Sequence, residues 1–198
     1  MKLVIATNNK NKIREIRDKF ADIVGLELIP LNDFPGPPEV IEDGNSFREN
    51  AYKKALETAN YTGYPSMADD SGLAVDALNG RPGIFSARYG GESATDTDRN
   101  RMILEEMRGI SASERNARFI CVIAIVFTDG RSFFAERTCE GVIAETMKGE
   151  HGFGYDPIFH LPELGKTMAE LPLHEKNRIS HRAKALEAMR EILIKLGN

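Results

Sequence analysis

The 198-residue chain has no tryptophan, only two cysteines and no long apolar stretch. Cys121 and Cys139 lie on either side of an Asp129-Gly130 turn and form no CxxC pair, so they read as reduced packing thiols. The four histidines, His151, His160, His174 and His181, have neither HExxH spacing nor cysteine partners, which removes the usual zinc patterns. The longest apolar run, Cys121 to Phe127, falls far short of the roughly 20 residues that a membrane helix needs. The apolar stretch of MKLVIATNN is too short for a signal-peptide core, so the expected location is the cytoplasm, with no membrane partner. Positive charge is also lacking: 26 Lys and Arg face 30 Asp and Glu, a net charge of −4. The molecule as a whole therefore has no electrostatic footprint for duplex nucleic acid or an anionic membrane, and any anion must be held locally. No Walker loop GxxxxGK[ST], internal repeat or low-complexity tract occurs.

What is present is the balance of an ordinary globular protein, 41% hydrophobic and 28% charged. Lys2 to Ala6 reads as a strand, followed by a polar turn and a helix marked by Ile13, Ile16, Arg17 and Phe20. Leu26 to Leu31 reads as a second strand and Asn32 to Asn45 as a loop. A helix follows from Ser46, with Phe47, Ala51, Ala55 and Ala59 stepping by four, closed by Gly63 and Pro65. PSMADDSGLAVDAL reads as two strand pieces around a polar turn at Asp69 to Gly72. The helix capped by Thr95 or Thr97 and ended by Gly109 reads as scaffold. Ala117 to Phe127 and Arg131 to Ala144 form the clearest hairpin, its first strand apolar on both faces and hence central. A GFGYDP loop, a short IFHL strand and a helix from Ser180 to Leu196 complete the chain. This order mixes a crossover with hairpins, so the expected fold is α/β: one domain over 1–198, a mixed β-sheet flanked by helices, with two lobes around a cleft.

Several segments carry chemistry. Thr7-Asn8-Asn9-Lys10-Asn11-Lys12 follows a strand and opens a helix, where free N–H groups, the positive dipole end and two lysines suit phosphate, although a capped helix with solvated lysines has the same pattern. Asp69 and Asp70 alternate faces on a strand, so one of them faces any given site. With Glu39, Glu42 and Asp43 they could supply the one or two carboxylates by which proteins hold Mg²⁺ beside phosphates, or simply form acidic turns. Asn50 and Lys53 share the polar side of their helix. In Gly152 to Pro157 two aromatics held between glycines suit stacking on a flat base, or a tight turn alone. Lys176, Ser180, His181 and Arg182 bracket the start of the last helix, whose first turn lacks the usual acids.

Taken together, TNNK after the first strand, FxENAxxKA from Phe47 to Ala55, ADDSGL from Ala68, GFGYDP from Gly152 and SHR from Ser180 resemble the motifs of the inosine triphosphate pyrophosphatases, also called XTP/dITP diphosphatases. The resemblance runs from about residue 3 to residue 193, with the motifs in the family's order. It implies an elongated α/β subunit with a nucleotide cleft, a homodimer, and Mg²⁺-dependent hydrolysis of ITP, dITP and XTP to monophosphate and pyrophosphate, without a stable nucleic-acid complex. Carried onto this chain, it implies that Thr7, Asn8, Asn9, Lys10, Asn11, Lys12 and Lys53 contact the triphosphate. Glu42 and Asp70 hold the metal, and Asp70 is also the general base. Ser71, Phe153, Gly154, Tyr155, Asp156, Lys176, His181 and Arg182 position the nucleotide, the last two near the purine. Asn8 is a departure, since the family often has glycine or another small residue between Thr and Asn; asparagine tolerates a left-handed backbone. The ADDSGL, GFGYDP and SHR motifs together speak against a Maf-type pyrophosphatase. The net charge and acidic residues speak against a non-catalytic single-strand binder stacking bases on Phe153 and Tyr155.

Overall fold

The computed structural model describes residues 1–91 and 93–197. Its centre is a seven-stranded sheet in the order β2-β1-β3-β4-β5-β6-β7. β1 (Lys2–Ile5) runs parallel to β2 (Glu27–Pro30) and to β3 (Ser66–Val75), the crossovers being α1 (Lys10–Phe20) and α2 (Phe47–Thr62). β4 (Asn116–Val126) and β5 (Ser132–Ile143) follow α3 (Asp96–Glu106), and β6 (Phe159–Leu161) and β7 (Lys166–Thr167) extend the sheet antiparallel. The chain closes with α4 (Leu173–Ile179) and α5 (His181–Gly197). The sheet is therefore mixed, as expected, and β4 takes the central place that its apolar faces require.

Two elements differ from expectation. Asp69 to Gly72 is no turn: β3 runs unbroken through it, because polar side chains of other elements meet its buried carboxylates and spare it the break that acidic residues usually impose. Residues 173–179, too short to show a period, form α4, which carries Lys176.

The chain divides into two compact units, at positions 70/71, 120/121, 137/138 and 181/182. The first packs Leu3, Ile5, Ile16, Phe20, Met67, Ile123 and Met189 into one core. The second packs Leu73, Ile103, Met107, Phe119, Ile158, Phe159 and Met168. Cys121 and Cys139 are reduced thiols buried in different cores, and burial pushes the Cys121 thiol up to about 12, where it stays protonated and inert. No helix among the described residues is long and apolar enough to cross a membrane.

In the second unit the Arg115 guanidinium is buried and makes no ion pair among the described residues. It donates to the carbonyls of Met107, Ile110, Ile143 and Ala144, joining the end of α3 to the end of β5. Arg115→Met is expected to destabilise the protein by about 3 kcal/mol or more, since it strips several buried acceptors at once. Arg115→Lys, with three donors, should recover part of that loss; urea unfolding checks both.

Candidate active site

The first unit gathers charge around β3. Asn9 caps α1, its side-chain oxygen accepting from Asn11 N at 2.9 Å and Lys12 N at 3.3 Å, while Thr7 Oγ1 accepts from Asn9 N at 3.2 Å. Asn8 and Lys10 are exposed. Among the described non-glycine residues only Asn79 has a positive φ, so Asn8 sits there without any left-handed backbone. Thr7 to Lys12 thus form a helix N-terminus without acids, and Lys12 Nζ leaves it to meet Asp69 Oδ2 at 2.8 Å.

Asp69 is almost wholly buried and receives a second cation: Arg182 Nε lies 3.2 Å from the same oxygen, and Arg182 Nη1 lies 3.0 Å from Glu15 Oε2. Burial alone would raise the Asp69 pKa, but the charges of Lys12, Arg182 and Lys54 overcome it and hold this carboxyl well below the ordinary carboxylate range. The neighbouring Asp70 points to the other face of the strand and shows the opposite behaviour. Burial, reinforced by Glu42, lifts its pKa above the ordinary value against the pull of Lys54 and of a hydrogen bond from Asn50 Nδ2 at 3.0 Å. Asn50 is fully buried, and its side-chain oxygen accepts from Gly44 N at 2.8 Å, fixing the loop that carries Glu42. A side chain at Gly44 would strike Asn50 Oδ1 at 2.7 Å.

One sequence expectation is corrected here. Lys53 does not reach this cluster: it pairs with exposed Asp43 at 2.7 Å and lies within 4.0 Å of Glu57. Lys54 takes the place, bonding Glu42 and donating to the Asp69 carbonyl at 2.8 Å. Four residues on from Asn50, Lys54 lies about 40° round the helix on one side, and Lys53, three residues on, lies about 60° on the other, so the two ammonium groups leave the helix about 100° apart. That phase, and the lysine position of the FxENAxxKA pattern itself, are the signals that identify Lys54. The sequence singles out Asn50 and Asp69 without giving either a role, and it misses Glu15, whose spacing carries no mark.

The second unit carries the other residues. Asp156 Oδ2 accepts from Phe153 N at 2.9 Å and from Lys176 Nζ, in a buried pair. Lys176 Nζ also lies 4.5 Å from the centroid of the half-buried Phe153 ring. A side chain at Gly152 would come within 2.0 Å of Asp156 Oδ2, and φ there is +82°, so the turn demands glycine on both counts. Tyr155 departs from expectation: its ring is buried in the core, with its hydroxyl on Ser86 O at 2.9 Å, so it anchors the turn and offers no stacking face. His181 stacks on Phe119 with centroids 4.7 Å apart and rings 18° from parallel. Ser71, half-buried, follows Asp70 on β3.

The geometry has close parallels. The Ham1 family model matches residues 3–192. This chain belongs to the Ham1 family. It is 52% identical over 99% of its length, and 97% of the other's, to a protein from Desulforamulus reducens named dITP/XTP pyrophosphatase. The structure of a HAM1 protein from Coxiella burnetii superposes with a TM-score of 0.93 at 42% identity, covering 98% of this chain and 99% of that one. The Staphylococcus aureus Ham1 protein gives 0.89 at 39% identity, covering 98% of each.

In this Ham1-family chain, Asp69→Ala is expected to cost about 3–5 kcal/mol at neutral pH, because it leaves buried cations uncompensated. A depressed pKa contributes stability that is present above the unfolded value near 3.8 and is lost as pH falls through the still lower folded value. The variant's stability should therefore vary less than the parent's below about pH 4, as urea midpoints across pH would record. For Asp70 the cause is Glu42 as well as burial, so Glu42→Gln should lower the Asp70 pKa, followed by carboxyl-carbon NMR; an unchanged value would refute the coupling.

Proposed function

We propose that this chain hydrolyses the triphosphates of deaminated purines, ITP, dITP and XTP, at the α–β phosphoanhydride, releasing the monophosphate and pyrophosphate. The observation that carries this is the pair of adjacent carboxylates on β3 with opposite environments: Asp69 locked ionised between cations, Asp70 raised and held by Asn50 beside Glu42 and Lys54. The names of the relatives, dITP/XTP pyrophosphatase among them, support the substrate class.

Cleavage by water needs the triphosphate charge balanced, the water placed in line and its proton accepted. Asp70 suits the role of proton acceptor, because a carboxylate of raised pKa is a stronger base than an ordinary one, and Asn50 fixes its direction. Lys12 and Lys54, with the N-terminus of α1, would bind the triphosphate, Lys12 sharing its charge with Asp69.

Mg²⁺ is the fitting metal. No cluster of three or more His, Cys, Asp or Glu is present among the described residues, and Mg²⁺ needs none, being held by one or two carboxylates plus phosphates and water. Glu42 and Asp70 are the two carboxylates, and the charge of Glu42 disfavours that of Asp70, an opposition that a dication would relieve. Bound there, Mg²⁺ would supply charge neutralisation at the triphosphate.

The Phe153 turn, Lys176 and His181 would position the nucleoside. Arg182, aimed by Asp69 and Glu15, would donate to O6 of a 6-oxo purine; adenine presents a donor there and would leave buried groups unpaired. The family resemblance further supports a homodimer acting in the cytoplasm, with no stable nucleic-acid complex.

The test is to incubate the protein with ITP, dITP, XTP, ATP or GTP, with and without Mg²⁺, and identify the products. Mg²⁺-dependent pyrophosphate and IMP from ITP, with little from ATP, are expected; orthophosphate with IDP would sink the proposal. Asp70→Asn should lower kcat by about 10²–10⁴-fold while the variant still binds nucleotide.

A further inference from the structure

The helix α3 reads from its sequence as scaffold, yet its first turns grip the aromatic turn at 152–156. Gly154 N donates to Asp96 Oδ2 at 2.7 Å, and Asn100 Nδ2 donates to Gly154 O at 2.7 Å. These two bonds hold the peptide planes on either side of Gly154, the first being the plane that joins it to Phe153. Gly154 has φ +63° and no side chain of its own to fix it, so its orientation must be imposed from outside.

Asn100 makes this grip at a cost to packing. It is almost wholly buried, and its amide nitrogen also donates to Asp96 O at 2.7 Å, so both amide hydrogens go to carbonyls and the orientation of the amide is settled. Its Oδ1, and Nε of the adjacent Arg99, are buried without a hydrogen-bond partner among the described residues. A helix face built only to pack would carry an apolar residue here and leave no such atoms. Arg99 in turn holds Asp96, its Nη1 lying 3.0 Å from Asp96 Oδ1, the oxygen that Gly154 does not use. The remaining turn residues are fixed separately, Tyr155 by Ser86 and Phe153 N by Asp156.

We infer that Asp96 and Asn100 are positioning residues that set the Phe153 ring against the purine, and so govern base affinity without touching substrate. This rests on the reading of the Phe153 turn as part of the purine site, and the experiment separates the two.

Affinities for IMP and for inorganic tripolyphosphate, kcat and KM for ITP, and melting temperature are measured for the parent, Asp96→Ala, Asp96→Asn, Asn100→Ala and Phe153→Ala. Asp96→Ala and Asn100→Ala should bind IMP about three- to tenfold more weakly and raise KM for ITP similarly, the scale of one hydrogen bond, with kcat and tripolyphosphate affinity retained. Asp96→Asn, which keeps an acceptor oxygen, should recover most of the IMP affinity whatever it does to stability. If Asp96→Ala binds IMP like the parent while Phe153→Ala binds it weakly, the inference fails and the turn's role stands. If Phe153→Ala leaves IMP binding unchanged, the purine reading of the turn fails and takes the inference with it. Equal weakening toward IMP and tripolyphosphate would mean general distortion and would also overturn it.

Discussion

The first unit depends on one buried carboxylate. Asp69 stands in the middle of β3, and its Oδ2 receives Lys12 from the start of α1 and Arg182 from the start of α5, so one oxygen ties three elements that are remote in sequence. Two cations on one buried anion would leave excess charge, and Glu15, facing Arg182 from within α1, offsets it. Apolar side chains of the same volume could hold these elements together as firmly, since desolvation consumes much of the attraction in a buried ion pair. Packing alone therefore gives no reason for charge here. What charge adds is direction: the guanidinium of Arg182 and the ammonium of Lys12 are each aimed by a fixed acid.

Strand geometry then separates two identical side chains. Successive residues of β3 point to opposite faces, so Asp70 meets Asn50, with Glu42 near enough to oppose its charge while Lys54 and Lys12 pull the other way. Lys54 acts on both sides, its ammonium on Glu42 and the Asp69 carbonyl. The result is one carboxylate fixed as an anion and one pushed toward the neutral form. Pairs of titratable groups driven apart in this way divide structural and chemical roles.

The fold is legible in the sequence where periodicity is strong. β1, α1, α2, the β4-β5 hairpin and α5 follow from apolar spacing, and the central place of β4 from its two apolar faces. At Asp69 to Gly72 the sequence misleads, because local turn propensity cannot register the cations and the amide that other elements bring to β3. The site is legible in its segments and less so in its individual side chains. Lys53 and Lys54 are told apart by the register of the FxENAxxKA pattern and by helix phase, and Tyr155 reads as a stacking face because composition does not tell a buried aromatic from an available one. Asn50 and Asn100 escape assignment for a shared reason: a buried asparagine is informative only once its partners are known, and both have partners on distant segments.

Those two asparagines express the same solution in the two units. Each is almost fully buried on a helix that flanks a chemically important residue, and each spends its amide on a short connection: Asn50 on Gly44 and Asp70, Asn100 on Asp96 and Gly154. A carboxamide can do this where a carboxylate cannot, because it donates and accepts without bringing a net charge into a low-dielectric interior. At Asn50 that neutrality matters for chemistry, since a third acid beside Asp70 and Glu42 would raise the Asp70 pKa further. At Asn100 it matters for geometry, since both acceptors are backbone carbonyls, which a carboxylate would repel. The acids of this protein supply its charge, and its buried amides decide where that charge and the Phe153 ring are presented.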